Sequence, residues 1–303
     1  MSKFIQYALW VDCTIGCKFC YNKGQKDINK IESLNFILNK LDEKEVEDYD
    51  EIGFIGGEFF NKELEDPKVL QLFYQLFKKL KEKPWINKIY LTTSLIYDIS
   101  NYLKPFLIYL NDLKLLQKTL LCTSYDIAYR FYTKQREDLW KNNMLELHRE
   151  FPQLKTHVET IITQKFIDAV LNDEFSIKNF CNIYHTRMDF IDPDSGFYYA
   201  NKIECQKDIP GFFPTKKSFI EFLCKEGIKS NEIDLNTFLS MNLRSNKAYY
   251  LDNGKHYVKD NRREGYGEFV PIDKEKKYER GFIDSNLNMR EVVEEFMETV
   301  YYE

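Results

Sequence analysis

Short apolar runs alternate with amphipathic segments from the amino terminus to about residue 191. The runs are rich in β-branched and aromatic residues, which is typical of strands. Between the runs, apolar residues recur at three- and four-residue spacing, as Ile31, Leu34, Leu38 and Leu41 do, which is typical of helices. The chain up to this point predicts six strands, at 4–11, 51–55, 88–94, 120–124, 157–164 and 183–191.

Helices are predicted between these strands, at 31–41, 67–81, 100–110, 137–149 and 166–180. Asp66 followed by Pro67 is a good start for one of them, and Ser100 is the expected cap of the next. Strands that alternate with helices form βα units with a parallel sheet. The expected fold class is therefore α/β.

The alternation stops after the turn at 192–196, which predicts a boundary between a core of residues 1–196 and a C-terminal extension of residues 197–303. The extension is expected to contain helices at 216–225 and 289–301 and a loop-rich stretch at 249–280. We expect it to pack on the core and to cover the substrate.

Composition narrows the class of protein further. The chain is 44% hydrophobic and 30% charged, an ordinary globular balance, and its net charge of −5 gives no basic field over the whole chain that would attract nucleic acid. No apolar run approaches the roughly 20 residues that span a membrane, and the first residues do not resemble a signal peptide. Seven cysteines, three of them clustered, favour a reducing compartment over a disulfide framework. We expect a cytoplasmic protein with no membrane partner.

Three of these cysteines, Cys13, Cys17 and Cys20, follow the first predicted strand at the spacing Cys-x3-Cys-x2-Cys. Thiolates in one short loop hold a metal centre, and three of them leave one metal position open. The alternative is a structural zinc site with a distant fourth ligand, but such sites favour paired Cys-x2-Cys elements, and the chain has no second pair. The remaining cysteines are too widely spaced to predict an auxiliary cluster: Cys122, Cys181, Cys205 and Cys224.

A Gly-Gly-Glu sequence, Gly56-Gly57-Glu58, follows the second predicted strand directly. Glycines allow a close approach to the backbone, and a carboxylate can accept a hydrogen bond from an ammonium group. With the cysteine loop, this sequence resembles the signature of the radical S-adenosylmethionine (radical SAM) enzymes. The family usually has proline after the glutamate, where this chain has Phe59.

The resemblance implies a partial (β/α)6 TIM-like barrel with its site at the carboxyl ends of the strands. It implies a [4Fe-4S] cluster bound by Cys13, Cys17 and Cys20, whose open iron chelates the amino and carboxylate groups of SAM. It places Gly56, Gly57 and Glu58 beside the SAM amino group.

The end of the fourth predicted strand carries a further part of the resemblance. Many radical SAM proteins have Ser-x-Asp here, followed by a basic residue that pairs with the SAM carboxylate. Ser124 and Asp126 match the first part, and Arg130 is the nearest basic residue. An arginine fork suits a carboxylate. The resemblance therefore implies that Ser124 and Arg130 bind SAM, and the alternative is a solvent-facing loop.

The activity that the resemblance implies is cleavage of SAM to a 5′-deoxyadenosyl radical, which abstracts hydrogen from a substrate. An external donor such as flavodoxin or ferredoxin would reduce the cluster. The first choice of substrate is a nucleotide or nucleic acid. The alternatives are a peptide- or protein-modifying enzyme, a glycyl-radical activase, or a non-catalytic iron–sulfur or zinc-binding interaction module. The sequence assigns no catalytic side chain.

Overall fold

The structure, a computed structural model, describes residues 4–17, 19, 20, 29–127 and 129–191. It also describes four residues of the extension, Phe212, Ser218, Glu221 and Phe222, and three C-terminal strands whose bounds are given below. The helix predicted at 289–301 lies outside the described residues. Of the helix predicted at 216–225, only residues 218, 221 and 222 are described, and all three are helical.

Six parallel strands form the main part of the sheet, in the order β6-β5-β4-β3-β2-β1. They are β1 Phe4–Ala8, β2 Glu51–Ile55, β3 Lys88–Thr92, β4 Thr119–Ser124, β5 Lys155–Ile161 and β6 Arg187–Ile191. Each lies beside the next one along the chain, as successive βα units require. The α/β prediction is confirmed, and the arrangement is compatible with a partial α/β barrel.

Six α-helices lie in the same part of the described chain: α1 Lys30–Lys40, α2 Pro67–Lys81, α3 Leu103–Asp112, α4 Lys134–Glu150, α5 Gln164–Leu171 and α6 Ile177–Tyr184. The Asp66 side chain caps α2 as expected, accepting from the Lys68 amide. Ser100 does not cap α3, which begins at Leu103 without a side-chain cap.

The single helix predicted at 166–180 is wrong, because the chain forms α5 and α6 there. Asp173, just after α5, has a left-handed backbone with φ 58°, which an α-helix cannot accommodate. Ser176 then caps α6 by accepting from the Asn179 amide. His185 is also left-handed at the end of α6, so β6 begins later than the predicted residue 183.

The two faces of the sheet differ in their neighbours. On one face, strands pack against helices: the Phe54 ring of β2 lies 5.5 Å from that of Phe77 in α2. On the opposite face, Phe4 of β1 contacts Tyr90 of β3 at 5.0 Å. A Cβ at Gly53 of β2 would meet the Phe4 ring at 2.7 Å, so this glycine lets Phe4 lie across the strand.

The extension adds three strands to the same sheet at the β1 edge: β7 Ala248–Asp252, β8 Lys255–Asp260 and β9 Glu268–Pro271. β7 is parallel to β1, through the pair Tyr7 and Leu251, and the other two are antiparallel to their neighbours. The prediction of a loop-rich stretch at 249–280 is therefore wrong for these strands. They are short and have charged residues mainly at their ends, which weakens the periodic signal.

Candidate functional site

The candidate residues lie at one edge of the sheet, where the parallel strands end. The cysteine loop follows β1, the Gly-Gly-Glu turn follows β2, Thr93 and Ser94 follow β3, and Ser124 is the last residue of β4. Parallel strands place their carboxyl ends at the same edge, which is the edge that carries sites in βα barrels. The contacts below show that several of these segments meet.

The Gly-Gly-Glu turn holds the start of the cysteine loop. The Gly57 amide donates to the Trp10 carbonyl at 2.7 Å, and the Glu58 amide donates to the Asp12 carbonyl at 2.8 Å. The indole of Trp10 donates in return to the Glu58 carbonyl at 3.1 Å. A Cβ at Gly57 would lie 1.8 Å from the Asp12 carbonyl oxygen, and one at Gly56 would lie 2.0 Å from that of Trp10. The glycines therefore permit a close approach of the cysteine loop.

The Glu58 carboxylate joins the ends of β2 and β3. It is 2% exposed and accepts from the Thr93 hydroxyl at 2.8 Å and from the amides of Ser94 and Phe60 at 2.7 and 3.1 Å. Burial raises its pKa, and these hydrogen bonds oppose the rise. The described partners of the carboxylate are thus protein donors, and its contact with the SAM amino group stays a prediction.

Arg130 lies beside the cysteine loop. Its guanidinium carbon is 5.5 Å from the centre of the Phe19 ring, and Phe19 stands between Cys17 and Cys20 in the chain. The Arg130 Nε donates at 2.9 Å to the Asp126 carboxylate, which also accepts from the Ile161 amide. Asp126, which follows β4 and is anchored to the last residue of β5, therefore orients Arg130.

Ser124 has a different neighbour. It is half-buried at the end of β4 and lies opposite Glu159 of β5 in register. The described contacts bring Arg130 to the cysteine loop. Ser124, by contrast, lies beside Glu159 of β5.

Two further residues contact the loop and were not predicted. The Arg136 Nη1 donates to the Ile15 carbonyl at 3.0 Å, and the Tyr132 hydroxyl donates to the Gly16 carbonyl. The Arg136 guanidinium also lies 5.3 Å from the centre of the Tyr132 ring. No local sequence pattern identifies such contacts, because they join positions more than a hundred residues apart.

The three thiols of the loop have different surroundings. Cys13 is exposed, Cys17 is buried and Cys20 is intermediate, and none forms a disulfide. Although Cys13 is exposed as a residue, the protein around its thiol displaces enough water to raise its pKa to about 11, and repulsion from Glu58, Cys17 and Cys20 adds to the rise. Burial also raises the pKa of Cys17, although the charge of Arg130 opposes it. The described chain therefore places three free thiols within residues 13–20.

These thiols fit a cluster in number and in kind. Within the described residues, no group of three His, Cys, Asp or Glu side chains is arranged to hold a metal ion. Each thiolate of an iron–sulfur cubane binds a different iron, so the sulfurs need not converge on one point as the ligands of a single ion do. A bound metal centre would also stabilise the thiolates that burial disfavours.

The extension reaches this site through Phe212. This residue is 0% exposed, and its ring lies 5.9 Å from that of Phe19 and 5.5 Å from that of Tyr129. Nearby, Phe222 packs on Phe166 of α5 at 5.8 Å. Phe212 of the extension therefore packs against the cysteine loop.

A charged group lies across β5 and β6, on the face of the sheet opposite the buried side chains of Val158 and Met188. His157 Nε2 and Arg187 Nε each lie 3.0 Å from an oxygen of the Asp189 carboxylate. Glu159 stands directly opposite Asp189 in register. Burial raises the pKa of Glu159, and repulsion from Asp189 contributes. Cys122, on β4 opposite His157, is buried with a pKa well above its ordinary value.

Neither a scan against protein-family models nor a search of the curated proteins finds a match to this chain. Among the described residues, no helix is both long and apolar enough to cross a membrane. The radical SAM resemblance thus depends on the residues of this chain and on how they are arranged.

Proposed function

We propose that this protein is a radical SAM enzyme in which Cys13, Cys17 and Cys20 bind a [4Fe-4S] cluster. The observation that carries the proposal is the position of the cysteine loop. It lies at the carboxyl edge of a parallel sheet, held by the Gly57–Glu58 turn on one side and contacted by Arg130 on the other. A structural zinc loop has no need of this arrangement.

The bound cluster and SAM would supply the redox and radical chemistry, which is reductive cleavage of the SAM sulfonium and hydrogen abstraction from the substrate. An external one-electron donor, such as flavodoxin or ferredoxin, is the implied partner. The protein contributes binding, orientation and exclusion of water, and each of these tasks can be assigned to named side chains.

Arg130 is the proposed partner of the SAM carboxylate. Its side chain is 13% exposed, so a bound carboxylate would be little screened by water. Asp126 fixes the Nε edge of the guanidinium, and the terminal nitrogens form the fork that suits a carboxylate. Ser124, Gly56, Gly57 and Glu58 are the other proposed SAM contacts.

Aromatic rings shield the part of the loop around Phe19 from water. Phe19 is 4% exposed and lies between Arg130 and Phe212. A radical reaction requires such cover, because exposed intermediates are quenched. This supports a substrate-covering role for the extension.

The proposed substrate is a nucleotide or nucleic acid. Strands β7 and β8 combine tyrosines with lysines, and Tyr250 lies opposite Tyr257 in their register. Aromatic rings with basic residues nearby suit stacked bases. A peptide or protein substrate and a glycyl-radical activase remain the alternatives, and product analysis with each class of substrate distinguishes them.

Iron and sulfide analysis after anaerobic reconstitution tests the proposal. We expect about four irons and four sulfides per chain. Replacing Cys13, Cys17 and Cys20 with Ala should abolish the cluster absorbance, whereas the control Cys181→Ala should retain it. With dithionite, the native protein should convert SAM to methionine and 5′-deoxyadenosine. A protein that binds only zinc, or a triple variant that keeps its cluster, would contradict the proposal.

A further inference from the structure

Two neighbouring peptide groups of the cysteine loop are held from the segment that follows β4. The carbonyl of Ile15 accepts from Arg136, and the carbonyl of Gly16 accepts from the Tyr132 hydroxyl. Both carbonyls lie between Cys13 and Cys17 in the chain. Arg136 and Tyr132 therefore fix two adjoining peptide planes in the part of the loop that carries the first two thiols.

A trans peptide points its N–H away from its C=O. The described residues contain no cis peptide bond. The peptide that carries the Ile15 carbonyl also carries the Gly16 amide, and the peptide of the Gly16 carbonyl carries the Cys17 amide. Because both carbonyls face Arg136 and Tyr132, both amides point to the opposite side.

The peptide whose carbonyl Tyr132 holds also carries the amide of Cys17, the second thiol of the loop. Gly16, between the two held carbonyls, has φ +69°, a left-handed conformation that favours glycine. The loop thus has a specific backbone shape, in which two successive carbonyls face Arg136 and Tyr132 and the amides of Gly16 and Cys17 point the other way.

We infer that Tyr132 and Arg136 are positioning residues that fix the backbone between Cys13 and Cys17, and with it the direction of the Gly16 and Cys17 amides. The consequence for a cluster rests on the proposed function. Hydrogen bonds to the sulfurs are among the factors that set the reduction potential of an iron–sulfur cluster. They stabilise negative charge on sulfur and so favour the reduced state.

The first test uses the metal-free protein. Tyr132→Phe and Arg136→Gln each remove one donor. The matched control is Arg149→Gln, because Arg149 is exposed at the other end of α4 and its described contact is with Glu150. We expect backbone amide exchange over residues 13–20 to accelerate about tenfold in the two variants and to stay unchanged in the control. Iodoacetamide should also alkylate Cys17 faster. Arg136→Lys, which keeps a donor, should recover part of the protection.

The second test is the midpoint potential of the reconstituted protein. Tyr132→Phe removes no charge, so a lower potential in that variant reports the loss of hydrogen bonding to sulfur. Unchanged amide exchange at 13–20 in both variants would overturn the inference, and so would an acceleration spread equally over the whole chain. If exchange accelerates but the native protein takes up no cluster, the positioning role stands and the proposed function fails.

Discussion

The guanidinium of Arg130 lies over the ring of Phe19, with its carbon 5.5 Å from the ring centre. The contact joins the segment after β4 to the cysteine loop after β1. A cation over an aromatic face contributes about 0.5–1 kcal/mol where exposed and about 2 where desolvated. Because Arg130 and Phe19 are both largely shielded from water, this contact belongs nearer the upper figure. It places the proposed SAM-binding cation at the loop proposed to hold the cluster.

Arg130→Gln should weaken SAM binding to the reconstituted protein by about 10- to 100-fold, since a hydrogen bond to a charged group is worth about 1.5–3 kcal/mol. Glutamine keeps a donor for Asp126, which is 3% exposed and would otherwise remain buried without its partner. Equilibrium dialysis with labelled SAM measures the change.

Arg149→Gln is the control for this experiment, because it removes the same charge from an exposed arginine near the end of α4, away from the cysteine loop. It should weaken SAM binding much less. If the two variants bind SAM equally, or if Arg130→Gln binds it as the native protein does, Arg130 is not the carboxylate partner.

Gly57→Ala should lower the free energy of unfolding by more than about 3 kcal/mol. The new Cβ would lie 1.8 Å from the Asp12 carbonyl oxygen, so the turn must move away from the cysteine loop. That movement breaks the hydrogen bond from the Gly57 amide to the Trp10 carbonyl. Urea titration of the metal-free protein gives the value.

Gly16→Ala provides the comparison. No atom lies within 4 Å of a Cβ at this position, and the cost comes only from the left-handed φ of +69°. That cost is about 1–2 kcal/mol. Should Gly57→Ala prove no more harmful than Gly16→Ala, the close approach of turn and loop would not be a determinant of stability.

Strand and helix positions were predictable where local signals agree. β2 begins and ends as predicted, at 51–55, because an apolar run ends abruptly at two glycines. α2 was predicted from Asp66 and Pro67, which fix its first turn. The hairpin of β7 and β8 was missed although the sequence between them is Asn253-Gly254, the strongest short hairpin signal. The charged residues Asp252, Lys255, Lys259 and Asp260 concealed the strands.

The candidate site was predictable only in part, for a physical reason. Cysteine spacing and a glycine pair are local patterns that sequence records directly. The contacts of Tyr132, Arg136 and Phe212 with the cysteine loop form only when distant segments meet in the fold. Nothing in the neighbourhood of Phe212 marks it as different from the other phenylalanines of the chain.

Glu159→Gln should stabilise the protein at neutral pH by up to about 1 kcal/mol, because like charges directly opposite on neighbouring strands are unfavourable. Burial raises the pKa of Glu159, His157 and Arg130 oppose the rise, and Asp189 and Asp126 add to it. A carboxyl whose folded pKa is raised contributes stability below its unfolded pKa and loses that contribution as pH rises. The advantage of the variant should therefore grow from about pH 4.5 upward, as urea titrations over a pH series would show.

Asp189→Asn should have the opposite effect on stability at neutral pH. Burial alone would raise the pKa of Asp189, but the hydrogen bond from His157 and the charge of Arg187 hold it below its usual range. Its contribution is present above the unfolded pKa and is lost as pH falls through the folded one. The variant should be less stable than the native protein at neutral pH and equal to it in acid. A pH-independent difference in either variant would refute this account of the charged group.

Phe212→Ala should expose the cysteine loop, and Phe222→Ala should not. Both rings are almost fully buried, at 0% and 1% exposure, so both substitutions leave comparable cavities. Phe212 packs on Phe19 of the loop, whereas Phe222 packs on Phe166 of α5. In Phe212→Ala, water and oxygen gain access beside Cys17 and Cys20. We expect alkylation of Cys20 in the metal-free protein, and loss of the reconstituted cluster in air, to become several-fold faster in this variant alone. Equal acceleration in both variants would mean that the extension protects the loop only by stabilising the fold. No acceleration in either variant would mean that Phe212 does not shield the cysteine loop.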